Sequence, residues 1–339
     1  MGSQTNKSAI SRSASSALKV IFEMMVLFHH LYLVHTSFFS HISGLAGPVA
    51  VGGFLILSGY GVGVSYKKSG EEYSKKLLFK RIPSTYLMLL IVDICYLALY
   101  YYTGSKFDNA FDLIISVLYI PIFDGFVALS HYVYFLADLI VYYFIFLLFS
   151  YLFRKQKNRL LIATVCISAL TIVIIIVLSI INASTGSERY LRACVCFPIG
   201  LLIACFDDII CEFLDNYKWL VAITFFVLGF AFYVSLGTKT VTEYVTPALF
   251  SLSIITMVYG ANSKSKLLDY FAKLILYIYV SHEFFREWFL YQFPNEHRNV
   301  RGLIVIGLSV VLSVIVNALV TLIGKKIKQN KTEKIQKNA

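Results

Sequence analysis

Apolar residues run along this chain in blocks of about 20, broken by short polar joints. Blocks of that length can cross the hydrocarbon core of a bilayer as helices, and they fall at roughly 17–39, 45–66, 82–103, 132–153, 159–182, 190–206, 218–236, 243–261, 267–291 and 301–324. The expected fold is all-α: a polytopic integral membrane protein of about ten transmembrane helices. The stretch FDLIISVLYI at 111–120, which ends at Pro121, is too short to span and predicts an interfacial or re-entrant segment. Residues 1–16 are polar and serine-rich and predict a disordered N-terminus, 17–325 a transmembrane domain, and 326–339 a basic cytoplasmic tail.

Composition agrees with this reading. Of the 339 residues, 58% are hydrophobic and only 14% charged, and the mean hydropathy is +0.73. That excludes a soluble domain with one buried core. The formal charge of +11 does not point to nucleic acid, because the lysines and arginines sit in the joints and the tail, where they act as topology signals. The main clusters are YKKSGEEYSKKLLFKR (66–81), RKQKNR (154–159) and the lysine-rich tail. All three lie on the same side of an alternating topology, which places both termini in the cytoplasm. The first apolar run carries Glu23 and two histidines and has no small-residue cleavage site, so no signal peptide is expected. Six cysteines lie in or beside apolar blocks without paired spacing or a histidine cluster; they read as helix filler, with no metal and no disulfide.

The chemistry concentrates in EMMVLFHHLYLVH (23–35) on the first helix. An ionisable group at membrane depth costs roughly 2–3 kcal/mol, so function or a partner is expected to hold it there. At about 100° per residue, Lys19, Glu23 and His30 fall within about 40° of one another, and His29 is turned about a quarter-circle away. The bland reading pairs Lys19 with Glu23 at i,i+4 and leaves both histidines as bundle hydrogen bonders. The sharper one makes His30 a general base, since neutral imidazole can take a proton from an alcohol near neutral pH. Glu23 could then orient its ring through a kink or a water, and His29 is the adjacent candidate. GGFLILSGYGVG (52–63) signals close helix packing, or a place where a substrate approaches the backbone near Ser58 and Gly59. YIYVSHEFFREW (277–288) places His282, Glu283 and Arg286 towards the outer end of the ninth helix, either as a neutralising pair or lining a vestibule.

These residues resemble the membrane-bound acyltransferase-3 family of bacterial O-acyltransferases over nearly the whole chain. The match comprises a basic residue, ten positions and a histidine (Lys19 to His30 in LKVIFEMMVLFHH), FLILSGY (54–60) followed by the basic LLFKRIP, YFLADLIVYY (134–143), and ILYIYVSH (275–282). The chain departs from the family pattern at Lys19, Ser84, Tyr134 and Ile275. The resemblance implies a stand-alone enzyme of the bacterial plasma membrane that transfers an acyl group, most often acetyl from acetyl-CoA, to a hydroxyl of a capsular, exopolysaccharide or O-antigen type glycan or its lipid-linked precursor. Lys80 and Arg81 would meet the phosphates of the donor, with Lys19, Ser58 and Gly59 at the same mouth. The rival class is a transporter or flippase of lipid-linked sugars, with Glu23, Asp93 and Asp138 as proton-relay groups. Against it, the chain shows no inverted repeat.

Overall fold

The computed structural model describes residues 8–31, 37–104, 114, 134–181, 194–235, 239–261, 265–294 and 298–337. Their regular elements are all helical: α1 (Arg12–Leu31), α2 (Ser37–Ser69), α3 (Glu71–Lys76), a π-helical turn (Leu77–Arg81), α4 (Ile82–Tyr102), α5 (Tyr134–Leu152), α6 (Arg159–Ile181), α7 (Cys196–Cys205), α8 (Asp207–Ser235), α9 (Lys239–Val258), α10 (Lys266–Gln292) and α11 (Arg298–Lys337). Each apolar block of the sequence carries a helix, that at 190–206 only the ten residues of α7, while 111–120, Ile114 apart, lies outside the described residues. Among the described residues six stretches are long and apolar enough to cross a membrane: Arg12–Leu31, Ile42–Ser69, Glu71–Tyr102, Arg159–Val177, Asp207–Val234 and Val300–Leu322. Shorter apolar helices lie at Asp138–Leu152, Cys196–Cys205 and Tyr244–Val258. Large apolar side chains such as Leu220, Val234 and Leu303 are each more than 60% exposed, as a surface facing lipid requires. All six cysteines are free thiols.

At the centre α2 packs on α1, α7 and α9, and α1 packs in turn on α10. Glycines permit the closest of these approaches. A methyl group at Gly59 would collide with the Phe197 carbonyl oxygen, one at Gly63 with Ala204, and one at Gly200 with the backbone of Ile56 and Tyr60. Gly59 with Gly63, and Gly200 with Ala204, each lie four apart, so small residues line both sides of the α2–α7 contact. Gly53 makes room in the same way for the ring of Phe22.

Three boundaries differ from the sequence reading. The first helix is described to Leu31, and α2 is already helical at Ser37, eight residues before its expected start and within the stretch expected for the first helix. Pro48 lies inside α2, where it withholds an amide hydrogen from the preceding turn. One residue further back, the Ser43 carbonyl accepts a hydrogen bond from His29 Nδ1 at 2.6 Å. Structure also begins earlier than polar composition suggests. Ala9 and Ile10 are buried, the Ala9 amide donates to Asp207 at 2.8 Å, and the Ile10 amide to the Tyr60 hydroxyl. Ser13 and Ser16 in α1 reach Ala261 and Asp269. Finally, the basic joint after α2 is itself helical. Gly70, at φ 54°, separates α2 from α3, and Pro83 cannot supply the amide that would bond the Phe79 carbonyl, so the chain ahead of α4 takes a π-helical register.

Candidate active site

The polar stripe of α1 meets α10. His30 Nδ1 lies 3.8 Å from Glu283 Oε2, His282 Nε2 lies 3.9 Å from the same oxygen, and the two imidazole rings are 5.2 Å apart between centroids. His282 and Glu283 are 1% and 0% exposed, whereas the His30 side chain keeps 18% of its surface. The other Glu283 oxygen, Oε1, is taken by Arg286: Nε donates at 2.7 Å and Nη2 donates as well. Arg286 also donates to Glu287 at 2.5 Å. His282 Nδ1 lies 3.2 Å from the Ile278 carbonyl. A carbonyl can only accept, so Nδ1 carries the proton and Nε2 is left bare towards the cluster. Glu283 is held by Arg286 at one oxygen, with its other oxygen turned to two imidazoles.

His29 points elsewhere. Besides its bond to Ser43, its ring fills the space beside Gly47, where a methyl group would overlap it. It fastens α1 to α2, while His30, one residue on, faces α10.

The ligand atoms of His30, His282 and Glu283 lie within 4.8 Å of one another. A zinc ion at about 2.0–2.1 Å from each nitrogen and about 2.0–2.2 Å from the carboxylate oxygen needs its ligands closer together than that, so these side chains would have to draw in to hold one. As they stand they suit a proton better than a metal.

Nearer the start of α1 is a cationic cluster. Arg81 leaves the π-helical turn, donates from Nη1 to the Tyr73 hydroxyl at 3.1 Å, and stands over the Tyr143 ring, 5.0 Å from its centroid. Ser58 lies beside the Tyr143 hydroxyl and is part-exposed on an otherwise buried turn of α2. Lys19 is close enough to Arg81 for the two charges to repel, and both side chains are exposed. Lys80, also exposed, follows Phe79 in the same turn, and Gly59 is taken up by the α2–α7 packing. Lys19 and Glu23 do not pair: both oxygens of Glu23, which is 2% exposed, lack a hydrogen-bond partner among the described residues.

A family model described as an acyltransferase domain matches residues 13–321. The chain belongs to the acyltransferase-3 family. No curated protein and no solved structure gives a match. The family makes this protein a membrane acyltransferase, with an acyl donor and an acceptor as its substrates. Within the acyltransferase-3 chain, His30 and Lys19 are brought to one helix face as their spacing predicts, and Arg81 joins Lys19. Sequence reading gave Glu283 and Arg286 as a neutralising pair or, with His282, the lining of an outer vestibule; the structure pairs them and also sets His282 and Glu283 against His30. A signal was present: a glutamate and an arginine three apart, next to a histidine, on a helix otherwise fit for a bilayer. Tyr73 and Tyr143, which hold Arg81, carried no comparable mark.

Proposed function

We propose that this acyltransferase carries an acyl group, acetyl from acetyl-CoA, to a hydroxyl of a cell-surface polysaccharide or its lipid-linked precursor in the bacterial plasma membrane, with His30 as general base. One observation carries the reading: His30 meets the buried carboxyl group of Glu283, while Lys19, about 16 Å away along the same helix, comes near Arg81, a pair of cations suited to an anion. The anion site suits the donor's phosphates and the histidine suits the acceptor's hydroxyl. His30 Nε2 takes the hydroxyl proton as the oxygen attacks the thioester carbonyl. The tetrahedral intermediate collapses, the carbon–sulfur bond breaks, and the leaving thiolate takes the proton back from the imidazolium. Glu283 Oε2, beside Nδ1, stabilises that imidazolium while it exists, and Arg286 keeps the carboxylate from turning away.

The donor site is tested at Arg81. Arg81→Ala should raise the KM for acetyl-CoA more than it lowers kcat, since it removes binding made equally to substrate and transition state. An unchanged KM in a well-expressed variant makes Arg81 a topology anchor only.

Both termini are placed in the cytoplasm by the charge pattern. Gly44 and Ser69 are both exposed, on opposite sides of the apolar part of α2. A membrane-impermeant thiol reagent added to intact cells should label Gly44→Cys and spare Ser69→Cys. The opposite labelling reverses the topology.

A further inference from the structure

On the polar stripe of α1, Lys19 is exposed and His30 part-exposed, and between them lies Glu23, closed in, with neither oxygen hydrogen-bonded by any described residue. A buried carboxyl without a partner is costly in either protonation state, since each leaves polar atoms stripped of water. Three facts identify what would satisfy it. First, Glu23 lies on the line between an anion site and the proposed base, so whatever reaches from one to the other passes it. Secondly, the span from Lys19 to His30 is about 16 Å at 1.5 Å per residue, and a fully extended pantetheine arm measures about 15 Å from phosphate oxygen to sulfur. Thirdly, Glu23 lies about 10 Å short of His30, and the arm's inner amide nitrogen lies about 8–9 Å from the sulfur. The outer amide, about 4 Å from the sulfur, falls well past Glu23.

We propose that Glu23 grips the donor by accepting a hydrogen bond from the inner amide N–H of its pantetheine arm. The assignment rests on the acyl-CoA reading above. It gives Glu23 a part in donor selection rather than in orienting His30, from which it is separated by two helical turns. A carboxyl offers an acceptor oxygen whether or not it is protonated, so the contact needs no particular charge state. Glu23 is the closed step of the stripe, and an arriving arm parts the side chains above it and supplies the donor it lacks.

The test uses purified full-length protein in detergent with cell-surface polysaccharide added as the hydroxyl acceptor, and follows thiol release from three donors: acetyl-CoA, acetyl-pantetheine and S-acetyl-N-acetylcysteamine. The last retains the outer amide and lacks the inner one. Glu23→Leu should raise KM about tenfold for the first two donors, the loss of one hydrogen bond, and change it by less than about twofold for the third. Glu23→Gln, whose amide oxygen still accepts, should recover most of the lost affinity. Glu23→Met repeats the comparison should the leucine variant not accumulate. An active wild type whose variants leave all three KM values unmoved, or raise them equally, overturns the assignment of Glu23 while leaving the donor reading intact. A wild type that consumes none of the three donors overturns the acyl-CoA reading and Glu23's role with it.

Discussion

His30→Ala should abolish acyl transfer to surface glycan in cells while the protein still accumulates in the membrane. Loss of a general base costs about 10² to 10⁴-fold in rate, and nothing adjacent can substitute. His29, its ring centroid 4.8 Å away, is taken up by the Ser43 carbonyl, and His282, at 5.2 Å, has its Nδ1 engaged within its own helix and its ring sealed from solvent. His29→Ala makes the informative contrast. It lies next in sequence, yet its ring fills the space beside Gly47 and bonds the Ser43 carbonyl, so its removal should cost stability of about 1–3 kcal/mol and spare the chemistry. Acyl incorporation into glycan and thermal unfolding in detergent separate the two effects. An inactive His29→Ala beside an active His30→Ala would transfer the role of base to His29, and two active variants would remove the chemistry from this helix.

The second large effect is expected far from the chemistry. Gly200→Ala adds one methyl group, but that group meets the Ile56 carbonyl and the Tyr60 amide of α2, and backbone atoms within a helix cannot step aside. The helices must separate, at a cost towards the upper end of the range of about 1–3 kcal/mol typical of overpacking. Gly61→Ala is the control: it belongs to the same glycine-rich run, and a methyl group there meets nothing within 4 Å. Thermal melts of the purified variants should show a clear fall for Gly200→Ala and little change for Gly61→Ala. Equal melts would mean that the α2–α7 contact is looser than drawn.

That the chain is all-helical and crosses a bilayer several times could be read from its apolar blocks, because a bilayer sets the length of a crossing. Helix ends were less legible. The apolar block put the start of α2 at 45, whereas the helix already runs at Ser37, through residues whose composition carries no such mark. The face of α1 that mattered was also legible, since Lys19, Glu23 and His30 share it by period alone. Their partners were not. Whether Glu23 pairs with Lys19, or Arg81 with an aromatic side chain, depends on which helix comes alongside, and local spacing carries no such information. Glu283 illustrates the limit. Its pairing with Arg286 at i,i+3 was readable within α10, while its approach to His30 needed the packing of α1 on α10.

That packing has a bearing on how the protein is made. Residues 30 and 283 are separated by most of the chain, so α1 enters the membrane long before the helix that shields its histidine has been synthesised. Until then His30 and Glu23 are polar groups on a first helix that has no α10 to cover them, and α1 gains a full seat only when the ribosome has nearly finished. Long-range closure of this kind is slow. It also means that a chain broken off before α10 contains His30 without Glu283, so a truncated product lacks that pairing altogether.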